Sequence, residues 1–218
     1  MAEQTYLSGL EFIHKVVVCN ERDFSGIRLE EGFDFFKDQD SLGALKSYLR
    51  KHKALYYDPL NFSHSQFRHV NFNLKGAIIT NVQADHADFS GSIFTSCYFG
   101  HSQFRDALFD DIQIKINPSA NYSVNFTGCD FHSASLKRAY LQNGHFYQAS
   151  FQGASFHFAQ LANVYFGQAD LCNARGLETT IGLDLAHFEK TKVNERERRI
   201  IELAKCGQMF EVMNSSTN

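Results

Sequence analysis

The side chains in this sequence best able to do chemistry are ten histidines and five cysteines. A zinc site needs ligands a few residues apart that converge on one point. The cysteines stand at 19, 97, 129, 172 and 206, never paired at that spacing. No strand-turn-helix nucleophile motif, phosphate-binding loop or dinucleotide fingerprint is present either. The residues therefore predict a non-enzymatic chain with no catalytic residue, no cofactor and no metal.

What the sequence does contain is a period. From Asn125 to Leu171 a step of five picks out Phe126, Phe131, Leu136, Leu141, Phe146, Phe151, Phe156, Leu161, Phe166 and Leu171. Two places before each stands a small or β-branched residue: Val124, Cys129, Ala134, Ala139, Gly144, Ala149, Ala154, Ala159, Val164 and Ala169. Five is neither the helical 3.6 nor the 2 of a strand, so the segment is a structural repeat before it is any element. The large series is the expected core, and Cys97 and Cys129, in the small slot, are expected to be buried thiols rather than ligands or disulfide partners. The composition agrees: 22 Phe, no Trp and 2 Pro, as if one ring filled equivalent slots.

The signature small-x-large-x-x, as in Ala149-Ser150-Phe151-Gln152-Gly153, resembles the pentapeptide-repeat family. The resemblance implies an all-β solenoid, a right-handed quadrilateral β-helix in which each pentapeptide forms one side and four form a coil. Stacked coils would pair backbones at about 4.8 Å and satisfy N–H and C=O groups between them. The repeats centre on Phe62, Phe67 and Phe72, then run from Ile79 to Ile114 and from Phe126 to Leu171, roughly five coils or 25 Å of height.

The expected organisation is in three parts: 1–59 with an opening strand, a degenerate coil and a helical insertion; 60–176 as the β-helix; and 177–218 as a C-terminal helical cap. The opening strand is expected over Leu10–Cys19, which is apolar and β-branched, and the degenerate coil at Phe24 and Leu29. After Asp40 or Ser41, Leu42, Leu45 and Leu49 take helical spacing with Lys46, Arg50, Lys51, His52 and Lys53 opposite. Two extra residues near Lys75-Gly76 should bulge from a corner. The twelve-residue step from Ile114 to Phe126 reads as two sides plus two residues, one side being replaced by the loop Ile116–Tyr122. After Leu171 the repeat decays. Leu177, Ile181, Leu183 and Leu185 should cover the open end, followed by an amphipathic helix over Asn194–Met213. In the family this end often dimerises, so Ile201, Met209, Val212 and Met213 are either cap or homodimer interface.

With four repeats per coil, His64, His86 and Asp106 stack along one corner, a ladder rather than a convergent metal site. One side would carry Asp88, Asp130 and Asp170, with Asp110 and Asp111 beside it. Another would align Ile78, Tyr98 and Tyr140 with Tyr122, unless the helix beginning near Ser41 lies over it. Residues 62–176 hold seven acids and seven bases. The best-known activity implied by the family, protection of DNA gyrase from quinolones or peptide toxins by a DNA-like rod, needs dense negative charge.

The first expectation is a protein-binding or scaffolding module whose sites are the outward residues Ile78, Tyr98, Tyr140, Tyr122, Asp88, Asp110, Asp130 and Asp170. A gyrase-protecting DNA mimic is the alternative, and a translocated effector comes below it. No direct nucleic-acid contact and no membrane insertion are expected, since no run of about 18 apolar residues occurs. Absence of a secretory signal in Met1–Cys19 and the odd cysteine count point to a reducing, cytoplasmic location, although secretion as an effector stays open.

Overall fold

The structure, a computed structural model, describes residues 5–35, 37, 39–51, 59–116 and 123–207. Its frame is a set of parallel bridges between residues one coil apart. In the regular stretch these are Asn125 with His145, Asp130 with Ser150, Ser135 with Ser155 and Tyr140 with Gln160. Four bridges five residues apart recur every twenty residues, which makes this a β-helix-type fold. Each side holds one bridged residue because the chain turns at once. In the repeat around Phe131, Ala134 N–H donates to Phe131 O at 3.0 Å, and Ser133 between them has φ +57°, the pattern of a type II turn. Among the described residues the regular strands are β1 (Tyr6–Leu7) beside β2 (Arg28–Leu29), and β3 (Asn71–Ile78), β4 (Ile93–Tyr98) and β5 (Gln113–Lys115) in one parallel sheet.

The large residue of each repeat points inward. All ten from Phe126 to Leu171 are buried, and Cys97 and Cys129 are buried with them. Equivalent rings stack along the axis: Phe104 on Phe131 at 5.2 Å and Phe131 on Phe151 at 4.9 Å, then Phe126 on Phe146 at 5.3 Å and Phe146 on Phe166 at 5.9 Å. Burying each ring contributes roughly 2–3 kcal/mol. The bulge expected near Lys75-Gly76 is present: pairing of β3 with β4 passes from Asn73 opposite Thr95 to Ala77 opposite Cys97, so β3 carries two additional residues.

The N-terminal segment departs from the expected strand. Gly9–Val17 is a helix, α1, and the opening strand is Tyr6–Leu7. Ser8 and Glu11 form a capping box, and Phe12, Ile13 and Val16 fall on one helical face and are buried, so capping and spacing override the β-branched content. Phe12 sits on the first coil, 4.9 Å from Phe24 and 5.9 Å from Phe62. Helix α2 (Gln39–Lys51) buries Leu42, Leu45, Tyr48 and Leu49 against α1 and β3. Of the expected basic face, only Lys46 has a described side chain.

At the other end, the segment expected as a cover continues the ladder: Gln160 bridges Ile181, Tyr165 bridges His187 and Asp170 bridges Lys192. Its sides have gained a residue, taken up by 3-10 turns at Leu177–Thr179 and Leu183–Leu185, which hides the period. Helix α3 (Glu195–Lys205), opened by an Asn194/Glu197 capping box, packs over these turns with Ile201 and Ala204 buried. Ile201 therefore belongs to the chain's own core, not to a free interface. Met209, Val212 and Met213 lie outside the described residues.

Candidate functional site

The bridges sort outward side chains into four rows. The first runs Asn61, Gln83, Gln103, Asp130, Ser150, Asp170, Lys192; the second Gln66, Asp88, Leu108, Ser135, Ser155, Arg175. The third runs from the paired Asn71 and Ile93 through Gln113, Tyr140, Gln160 and Ile181, and the fourth from Ile78 and Tyr98 through Asn125, His145, Tyr165 and His187.

Two expected groupings are thereby corrected. Asp88 lies in the second row, apart from Asp130 and Asp170, and Tyr140 lies in the third, apart from Ile78 and Tyr98. The cause is the step from Ile114 to Phe126. Gln113 bridges Tyr140 while Tyr98 bridges Asn125, so the twelve residues make one side plus a seven-residue insertion, and every later repeat moves one side round. Phe99 stacking on Phe126 at 5.8 Å reports the same register. Tyr122 and the loop residues 117–122 lie outside the described residues.

No unbroken acidic side results. Arg105 Nε reaches Asp130 at 2.6 Å, Lys192 Nζ reaches Asp170 at 2.8 Å, Arg68 Nε lies 3.5 Å from Asp88 and Arg138 forks onto Asp111 at 2.8 and 2.6 Å. Asp110 accepts from Ser135 Oγ at 2.6 Å and Lys137 N–H at 3.0 Å. Burial pushes the Asp170 pKa up, but hydrogen bonds from Lys192, Cys172 N–H and Gln152 outweigh it and hold the carboxyl at about 2. The acids of the first two rows are thus matched by neighbouring bases, and long-range field is lost over a Debye length of about 8 Å.

The His64 and His86 rings do stack, 4.9 Å apart and 8° from parallel. Such a ladder offers no common point, and among the described residues no three His, Cys, Asp or Glu side chains form a metal-binding group. Burial pushes the thiols of Cys97 and Cys129 up, away from reactive thiolate.

The fourth row differs in kind. In the five coils from Ile78 to Tyr165 its outward positions, 78 and 80–81, 98 and 100–101, 125 and 127–128, 145 and 147–148, and 165 and 167–168, hold no Asp, Glu, Lys or Arg, and charge returns only with Glu189 and Lys190 in the coil of His187. His145, Tyr165 and His187 stack, with centroids 4.8 and 4.4 Å apart and planes within 10°. Two glycines make room for tyrosines: a Cβ on Gly100 would lie 2.5 Å from the Tyr98 ring, and one on Gly167 3.1 Å from the Tyr147 ring. Spacing alone finds Tyr98. It misses His145, Tyr165 and His187, because their alignment depends on the insertion's register; the absence of charge from this one repeat class was the available signal.

The family model for pentapeptide repeats matches residues 73–111, 129–168 and 145–175, in eight copies. These residues are pentapeptide repeats. No curated protein matches the chain. Among solved structures, the chain is similar to a trypsin-treated form of QnrB1, a plasmid-mediated fluoroquinolone resistance protein, at 16% identity over 94% of this chain and 96% of that one, with a TM-score of 0.22. It is also similar to HetL of the cyanobacterium Nostoc, a pentapeptide repeat protein involved in heterocyst differentiation regulation, at 15% identity over 85% and 94%, with a TM-score of 0.19. The fold of this chain rests on its own bridges and repeats. Among the described residues no helix is long and apolar enough to cross a membrane.

Proposed function

We propose that this protein is a non-enzymatic binding module and that the fourth row is the face it presents to a protein partner. One observation carries the reading: this side is free of formal charge through five successive coils while the charges of the first two rows pair with one another. Interface centres are depleted in charge and enriched in tyrosine, and solenoids build extended binding surfaces from equivalent repeats. The family's right-handed quadrilateral coil is the geometry we infer for the paired rows. The same reading takes 60–176 as the binding solenoid and 1–59 and 177–218 as its end segments.

The DNA-mimic alternative, with gyrase as partner, gains no support from the charge distribution, because Asp88, Asp111, Asp130 and Asp170 are each offset by a base. The test is co-purification from the source organism with wild type, Tyr165→Asp and Ser150→Asp. A partner retained by wild type and Ser150→Asp but lost with Tyr165→Asp supports the face. Equal loss with both variants, or turnover abolished by changing one polar residue, counts against it.

A further inference from the structure

Two interruptions of the repeat fall on the same edge, between the third and fourth rows. One is the bulge of β3 between Asn73 and Ala77. The other is the seven-residue insertion between Ile114 and Phe126, two coils further along. Between them β4 turns the corner through Ser96, at φ +47°. This leaves a cleft of about 220 Å³ lined by Gly76, Ile78, Ser96, Cys97, Tyr98, Ser123 and Asn125.

Its chemistry is specific. Ile78, 62% exposed, and the Tyr98 ring supply apolar surface. Gly100 fixes that ring, since any side chain there would displace it. The hydroxyls of Tyr98 and Ser123 and the Asn125 amide supply hydrogen-bonding groups, Ser96 being buried, and none of the lining side chains carries a formal charge. A cavity of about 150 Å³ lined by apolar groups takes up benzene, so this cleft has room for a ring-bearing side chain. A charged occupant would lose hydration without gaining a counter-charge.

We propose that this cleft is the anchor pocket of the binding face, taking one uncharged aromatic side chain of the protein partner together with its adjoining main-chain amide. Interfaces draw most of their affinity from a few aromatic anchors seated in such pockets, and a flat row of stacked rings otherwise offers none. The assignment rests on the binding-module reading, and its test needs no partner.

The probe is N-acetyl-phenylalaninamide, titrated into the full chain with isoleucine methyl and tyrosine ring carbons observed by NMR. N-acetyl-lysinamide and N-acetyl-aspartamide serve as charged comparisons. The expected result is saturable shifts at Ile78 and Tyr98 with the phenylalanine probe, binding at least about tenfold tighter than either charged probe. Ile78→Glu should weaken it by at least about tenfold with the melting temperature unchanged, because that side chain is exposed; Gly100→Ala, which moves Tyr98, should weaken it too. Absence of saturable shifts at these residues, equal binding of the charged probes, or undiminished binding by Ile78→Glu would overturn the assignment. A partner lost with Tyr165→Asp while the probe fails to bind overturns the pocket and leaves the binding-module reading standing. Saturable probe binding without any such partner supports the pocket and counts against that reading.

Discussion

Replacing Phe131 by alanine isolates what holds the stacked repeats together. Its ring is 1% exposed. It is stacked between Phe104 at 5.2 Å and Phe151 at 4.9 Å, and meets Phe109, Phe126 and Phe146 edge-on at 5.4, 5.5 and 5.9 Å. Truncation removes the transfer free energy of the ring and leaves a cavity that backbones bridged above and below cannot close. Phe→Ala changes of this kind cost about 3–5 kcal/mol, and the lost aromatic contacts place Phe131→Ala in the upper half of that range. Against a total of about 5–15 kcal/mol the loss is large. Ser150→Ala is the control: Ser150 contributes backbone bonds, to Cys129 O at 2.9 Å and from Phe131 N–H at 2.7 Å, which alanine retains, so its cost should stay within about 0.5 kcal/mol. With no tryptophan in the chain, urea unfolding is followed by far-UV circular dichroism. Losses of similar size at Phe131 and Ser150 would refute the assignment of inward and outward positions.

Other outcomes follow from the same geometry. Phe158 is held at φ +61° and is 59% exposed, a backbone conformation costing a non-glycine residue roughly 1–2 kcal/mol; Phe158→Gly should stabilise by about 0.5 kcal/mol after glycine's entropy, and a lower urea midpoint would contradict it. Asp170 has its pKa depressed to about 2, so its contribution is present above the unfolded value near 3.9 and is lost as pH falls through about 2. Because the Lys192 end of the ion pair is exposed to solvent, the pair is worth at most about 1 kcal/mol: Asp170→Asn should be less stable than wild type at pH 7 and indistinguishable near pH 2, and a deficit independent of pH would contradict the linkage. The purified protein should neither inhibit gyrase supercoiling nor rescue it from a fluoroquinolone. Rescue that vanishes when Asp88, Asp130 and Asp170 become Asn would show that paired carboxylates suffice.

The period of five made the core legible, because a buried Phe or Leu in every fifth place has no other structural explanation. Where the period failed, so did the expectation. At Leu10–Cys19 the β-branched residues pointed to a strand, while the capping pair Ser8 and Glu11 and the spacing of Phe12, Ile13 and Val16 pointed to a helix. Past Leu171 the added residues before Ile181 and His187 broke the count although pairing continued. The candidate site suffered most from the insertion. A twelve-residue step is compatible with one side plus seven residues or two sides plus two, and both place large apolar residues over one another. The bridges from Tyr98 to Asn125 and from Gln113 to Tyr140 decide, and with them the identity of every outward neighbour downstream. That register separates Asp88 from Asp130, moves Tyr140 off the Ile78 side, and assembles His145, Tyr165 and His187 on it.

The central claim is that one side of four makes the contact, and a photocrosslinking amino acid placed on each side of a single coil tests it most directly. Ser150, Ser155, Gln160 and Tyr165 are the bridged residues of four successive sides. Ser155 is buried, so its side is probed from neighbouring His157. Irradiation in the source cells should give one dominant protein adduct from position 165 and little from 150 or 157, with position 160 intermediate because it adjoins the same edge. Equal adducts from all four positions, or a dominant adduct from 150 or 157, would contradict the assignment of the uncharged row as the binding face.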